Sequence, residues 1–398
     1  MTPPAPTVST DRPATPDERL GLARRTVEAL AEAARSADRA AFDRVVSDRD
    51  PSFASRARLL YTNLSTLPVT ELQLRPVPGE RPLTPARRQL LGPDAWMQPV
   101  VVSWRLNGDD EAAQHRVWLT FVADGAEARL AGTFDGPVGQ PQEPQPSWWL
   151  GPLTARRQGS VTVLAGSGQP VDRWAGMAVL ATAAVKRRLP AGAADGWAGR
   201  VVVEVPATTS DFAAVLGVPA RTYSGIAAVA HQVGVGEGPP LWVVVNPRAR
   251  ALVREQQLAE ILRHEITHLA TRSPESAAPL WAVEGLAEWV AVGEEPGRSS
   301  SGTADLLAAV RRGGPPRSLP GDADFAAGSP NLNRAYAEAW LACSHIAEQY
   351  SPGRLGRLYA ELDRGRSVDE ASRAVLGISA EELTAGWRRL LVSRAGAG

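Results

Sequence analysis

Ile261-Leu262-Arg263-His264-Glu265-Ile266-Thr267-His268-Leu269-Ala270 reads as an amphipathic helix with chemistry on one face. Ile261, Leu262, Ile266 and Leu269 recur at helical spacing and supply its buried side. Four residues advance an α-helix by roughly 400°, so His264 and His268 project about 40° apart. Two imidazoles placed that way can bind one tetrahedral zinc ion. Glu265 sits beside them, in position to take a proton from a water on the metal. The helical pattern runs over residues 255–271 and stops before Pro274.

A catalytic zinc takes a third protein ligand and leaves its fourth position to water. Downstream, Leu280-Trp281-Ala282-Val283-Glu284-Gly285-Leu286-Ala287-Glu288-Trp289 belongs to a second predicted helix, over residues 280–292. Glu284 fits the third ligand. Glu288 lies one turn later. It has two readings: a partner that fixes the tautomer of a zinc-bound histidine, or a solvated charge.

Together, His-Glu-x-x-His and Trp-x-x-Glu-Gly-x-Ala-Glu resemble the gluzincin metallopeptidases, the clan of thermolysin and the alanyl-type aminopeptidases. The compact form is similar to the bacterial peptidase MA-like families. The resemblance spans residues 160–392. It implies a zinc-dependent peptidase acting on a peptide or protein substrate. His264, His268 and Glu284 would hold the metal, with Glu265 as general base. The interval before Glu284 is a few residues shorter than in the best-known members. The resemblance also implies that the segment from Tyr223 to Val229 is a sheet edge that pairs with substrate, against an ordinary covered strand. It makes Tyr336 the first candidate to stabilise the oxyanion, against core packing, with His345 and Tyr223 behind it. His115 and His231 read as structural or surface residues. No Gly-x-Met-Glu-Asn segment lies near Gly225, which favours an endopeptidase over an aminopeptidase.

Working outward, strands are expected at residues 160–165, 201–205, 222–230 and 241–245. Helices are expected at 172–189 and 210–216, and downstream at 333–350, 355–364, 368–376 and 380–392. Residues 299–302 and 313–316 read as loops at the rim of the cleft. Toward the N-terminus, a helical pattern covers residues 18–46, and Asp50-Pro51 breaks it before a short helix at 52–61. Alternating segments follow at 70–76, 100–106, 115–123 and 127–134. Helices followed by an antiparallel meander predict an α+β layer. Its element order resembles the cone-shaped nuclear-transport-factor-like or SnoaL-like domains. The expected organisation is a disordered tail over residues 1–16, this α+β domain over 17–153 and a gluzincin domain over 154–398. The latter would combine a mixed sheet, the zinc helix and a helical C-terminal part.

Composition agrees with a globular protein of two domains: 398 residues, 44% of them apolar and 22% charged. Lys and Arg number 43, as do Asp and Glu, which argues against a nucleic-acid or anionic-membrane partner. A lone cysteine, Cys343, rules out an intramolecular disulfide and a cysteine-based zinc site, and it reads as a small buried hydrophobe. No apolar run is long enough to span a membrane, and residues 1–6 lack the features of a signal peptide. The chain as given reads as soluble and cytoplasmic, or as exported if its start is truncated. Nothing in the sequence specifies the oligomeric state or the cleavage specificity. Rival readings are a catalytically silent binding or regulatory protein on the gluzincin fold, a structural zinc module, and a function vested in the N-terminal domain.

Overall fold

Three capped helices open the chain. Thr15 and Glu18 form a capping box for α1 (Pro16–Arg35), Asp38 caps α2 (Arg39–Arg44), and the Asp50 carboxylate caps α3 (Pro51–Thr66). The helical run expected over residues 18–46 is therefore two helices. Ala37 takes a φ of +54°, and Asp38 starts a new helix. The structure is a computed structural model that describes residues 14–396, except 108, 110, 134, 136–142, 220, 221, 223, 224, 237, 294–299, 301 and 327. Most of the tail expected over residues 1–16 thus lies outside the described residues.

Next comes the meander: β1 (Val69–Pro76), α4 (Pro85–Leu91), β2 (Ala95–Leu106), β3 (Ala113–Asp124) and β4 (Glu127–Gly132). The four strands pair antiparallel in chain order. α4 was not expected, because seven residues give too short a period to read.

The second half begins with α5 (Ser147–Leu150), β5 (Leu153–Gln158), β6 (Val161–Gly166), α6 (Val171–Arg188), β7 (Val201–Val205), α7 (Thr209–Leu216), β8 (Ala228–Gln232) and β9 (Leu241–Val245). Its sheet has the order β5-β6-β7-β9-β8. β6, β7 and β9 run parallel, and the two edge strands run antiparallel to them. Among the described residues, helices then follow without further strands: α8 (Ala249–Leu252), α9 (Glu255–Thr271), α10 (Leu280–Val292), α11 (Thr303–Gly313), α12 (Leu332–Gln349), α13 (Pro352–Asp363), α14 (Val368–Leu376) and α15 (Ala380–Gly396). The architecture is α+β with one antiparallel and one mixed sheet. Among the described residues no helix is long and apolar enough to cross a membrane.

Period-2 alternation divides the mixed sheet between two cores. Val163, Val203, Val205, Val243 and Val245 face α6, α9 and the C-terminal helices. Leu164, Val202 and Trp242 face the other way, into the core of the N-terminal half. There Trp104 stands edge-on to both Trp148 and Trp242, with ring centroids 5.8 and 5.5 Å away. Tryptophan rings thus fill the interior of the N-terminal layer. β3 is also tied to the segment after β8. The Val235 N–H donates to the Gln114 carbonyl at 2.7 Å. Gly234 takes a φ of +88°, and a Cβ there would lie 2.1 Å from that carbonyl.

Glu204 shares the N-terminal-facing side of β7 and is 1% exposed, with its Oε1 unpartnered. Burial pushes its carboxyl up to about 7, and the nearby Ser147 hydroxyl offsets this only in part. A raised acid pKa favours folding while the proton is held and costs stability as pH rises through about 7. Glu204→Gln is therefore expected to raise stability at pH 8 by roughly 3 kcal/mol and to leave it unchanged at pH 4. Chemical denaturation of both proteins at the two pH values checks this. A gain at pH 4 equal to that at pH 8 would contradict it.

Candidate metal centre

α9 buries Leu258, Leu262, Ile266 and Leu269 against the sheet. His264 and His268 lie on an adjoining face and are also buried, at 8% and 7% exposure. The third residue arrives through a close helix crossing. A Cβ on Gly285 would lie 2.5 Å from the Ala339 carbonyl oxygen and 2.8 Å from the Cys343 sulfur. Only glycine lets α10 approach α12 this closely, and the approach sets the position of Glu284 next to it. Gly285→Ala is expected to destabilise the protein by about 1–3 kcal/mol through overpacking. A lowered thermal midpoint would register this, and an unchanged midpoint would show that the crossing tolerates a methyl group. Cys343 is the buried small residue the sequence suggests, and burial pushes its thiol up, away from reactivity.

Three ligand atoms converge. His264 Nε2 lies 2.9 Å from His268 Nε2 and 3.1 Å from Glu284 Oε2, and His268 Nε2 lies 3.4 Å from the same oxygen. Among the described residues this is the group of His, Cys, Asp and Glu side chains whose ligand atoms come together at one point. Ligands about 2.0–2.1 Å from a tetrahedral ion stand roughly 3.3 Å apart. The triangle here is close to that spacing. If each imidazole carries its proton on Nδ1, two lone pairs and a carboxylate oxygen meet at the same place. A cation satisfies such a group, and the donor set of two nitrogens and one oxygen suits zinc.

Further carboxylates surround the pair. Glu288 Oε1 approaches His264 Nδ1 at 3.0 Å, close in distance and oblique in direction, and Glu288 Oε2 accepts from Ser300 Oγ at 2.7 Å. Glu288 therefore faces the histidine and not solvent. Burial opposes charge on His264, but Glu284 and Glu288 outweigh it and hold its pKa well above the usual value. Burial likewise opposes charge on Glu284, yet His268 and His264 hold its carboxyl below the usual range. Glu265 Oε2 accepts the backbone N–H of Ala230 at 2.8 Å, so β8 positions it. Burial raises the Glu265 pKa, and the two histidines counter part of that rise. Tyr336 places its ring centroid 6.0 Å from that of His264, and its hydroxyl lies within the electrostatic reach of Glu284. Burial and then the carboxylates of Glu284, Glu265 and Glu288 keep that hydroxyl protonated. A cleft of about 350 Å³ opens beside His264, Glu265 and Tyr336, walled by Ile226, Val253, Ile261 and Val292.

Other expectations change. The strand predicted over residues 222–230 starts only at Ala228, because its partner β9 ends at Val245, before Asn246-Pro247. Tyr223 lies outside the described residues. His345 is buried on α12 against Gly386 of α15, a packing role. His231 pairs with Trp242 on β9, and His115 stacks on Trp104 of the N-terminal core with ring centroids 6.2 Å apart. Of the rim expected at residues 299–302, Ser300 is buried on Glu288, whereas Ser299 and Ser301 lie outside the described residues. The sequence carries no periodic or motif signal for the Ser300 contact with Glu288, for the Ala230 N–H on Glu265, or for Ser273, whose Oγ lies 2.7 Å from His268 Nδ1. No family model matches the chain, and no curated protein matches it significantly.

Proposed function

We propose that the chain is a zinc-dependent peptidase of the gluzincin type. The observation that carries this reading is the convergence of His264 Nε2, His268 Nε2 and Glu284 Oε2, with a half-buried Glu265 beside them at the mouth of a cleft. His264, His268 and Glu284 would hold the metal. Zinc bound there supplies Lewis acidity to a carbonyl and to a water molecule. Glu265 accepts the proton of the attacking water and returns it to the leaving amine. The Tyr336 hydroxyl stays protonated and would donate to the developing oxyanion. β8 is the edge of its sheet beside α9, so an extended peptide can add to it as a further strand. The apolar cleft wall of Ile226, Val253, Ile261 and Val292 suits an apolar side chain next to the scissile bond. The N-terminal layer, nuclear-transport-factor-like in its order of elements, braces the back of the sheet.

The test joins metal content of the purified protein to cleavage of a mixed peptide library with and without a chelator. The expected result is one zinc per chain, with chelator-sensitive cleavage beside apolar residues. Zinc without any cleavage would favour the binding or regulatory reading. Absence of zinc affinity would end the proposal.

A further inference from the structure

Among the described residues, the two histidines of the cluster are held from behind in different ways. His264 faces the charged Glu288. His268 Nδ1 lies 2.7 Å from Ser273 Oγ, a neutral partner five residues along the chain. An α-helix continuing past Thr271 would carry residue 273 away from that ring. The chain instead turns at Arg272, a non-glycine residue in the left-handed region at φ +49° and ψ +39°. A short 3-10 turn (Ser273–Glu275) follows at once. The Arg272 guanidinium closes on Glu275 with two bonds, Nε to Oε2 at 3.1 Å and Nη2 to Oε1 at 2.7 Å. Gln232 at the end of β8 donates to the same Glu275 at 3.2 Å. The strained turn is thus fixed from two sides, and its product is a serine hydroxyl aimed at the outer nitrogen of His268.

We infer that Ser273 is a positioning residue for His268, accepting the Nδ1 proton so that Nε2 presents its lone pair to the metal. This rests on the metal-site reading above. With Nε2 committed to a cation, the imidazole proton is on Nδ1, and a hydroxyl oxygen 2.7 Å away accepts it. The hydroxyl then fixes the ring rotation and stabilises the tautomer that the cation selects. Because Ser273 is neutral and Glu288 charged, the two histidines also differ in donor strength.

The test compares the full chain with its Ser273→Ala and Ser273→Thr variants. Zinc affinity is read by competition with a chromophoric chelator, and the thermal midpoint is read in metal-free protein. Ser273→Ala is expected to lose about 10-fold or more in zinc affinity, the usual effect of removing a ligand's hydrogen-bond partner. Ser273→Thr, which keeps the hydroxyl, should stay near the parent, with all three metal-free midpoints alike. The inference is overturned if Ser273→Ala binds zinc as the parent does, or if Ser273→Thr loses as much as Ser273→Ala. A parent chain that does not bind zinc at all would instead overturn the metal site itself, a distinguishable outcome.

Discussion

Glu265→Gln is expected to keep its zinc and to lose turnover by about 10²–10⁴-fold, the usual contribution of a positioned general base. Glutamine has nearly the same shape and keeps a carbonyl oxygen to accept the Ala230 N–H, which Glu265 now accepts at 2.8 Å. The edge strand and the helix therefore have no reason to move. What the variant lacks is a group that can take and return a proton. Glu265 is also outside the triangle of His264, His268 and Glu284, so the proposed metal ligands are untouched. Metal analysis and cleavage rates on one peptide, measured side by side for parent and variant, separate the two roles. Loss of zinc together with activity would mean that Glu265 supports the ligands. Parental turnover would remove it from the mechanism.

Deleting the N-terminal half should be equally severe, for a different reason. A chain of residues 153–398 keeps every candidate site residue and the whole mixed sheet. It also strips the cover from Leu164, Val202, Val233 and Trp242, all buried now in the N-terminal core. At about 1.5–3 kcal/mol for each buried apolar side chain, the loss is roughly 6–12 kcal/mol. Net domain stability is itself only about 5–15 kcal/mol. The deletion further removes the Gln114 carbonyl that holds the Val235 N–H behind β8. The fragment should therefore show no cooperative thermal transition and should bind an apolar dye. A soluble fragment with a sharp transition and full cleavage activity would make the N-terminal half an independent appendage.

This coupling is where the sequence is least informative. Residues 17–153 and 154–398 read as separate domains because prolines crowd residues 137–146 and the motifs fall only after them. Those signals are local. They mark where one layer of chain stops and another starts, and they say nothing of which faces meet. β7 alternates between two cores, but five consecutive buried residues, Val201 to Val205, give no local sign that one face belongs to another part of the chain.

At the site the division is similar. The bounds of α9 and α10 follow from apolar spacing, and for α9 also from Pro274, and the structure places both helices over the predicted residues. The pairing of His264 with His268 is a property of one helix, so it too is legible. Glu284 was nominated by motif, and its approach depends on the Gly285 crossing with Ala339, more than fifty residues away in sequence. Ser300 is legible only as part of a loop at the rim of the cleft, and Ser273 carries no signal at all. Each is one of many serines until a left-handed turn or a helix packing aims its hydroxyl.

By itself, then, the amino-acid order determined the local periods, the ligand types and the face on which two imidazoles stand. Tertiary structure alone decided how closely the Glu284 carboxylate meets them, which hydroxyl stands behind His268 and what covers the back of the sheet. The physical reason is range. A helical turn is set by residues three or four apart, whereas an approach of about 3 Å between separate elements is set by the packing of everything between them.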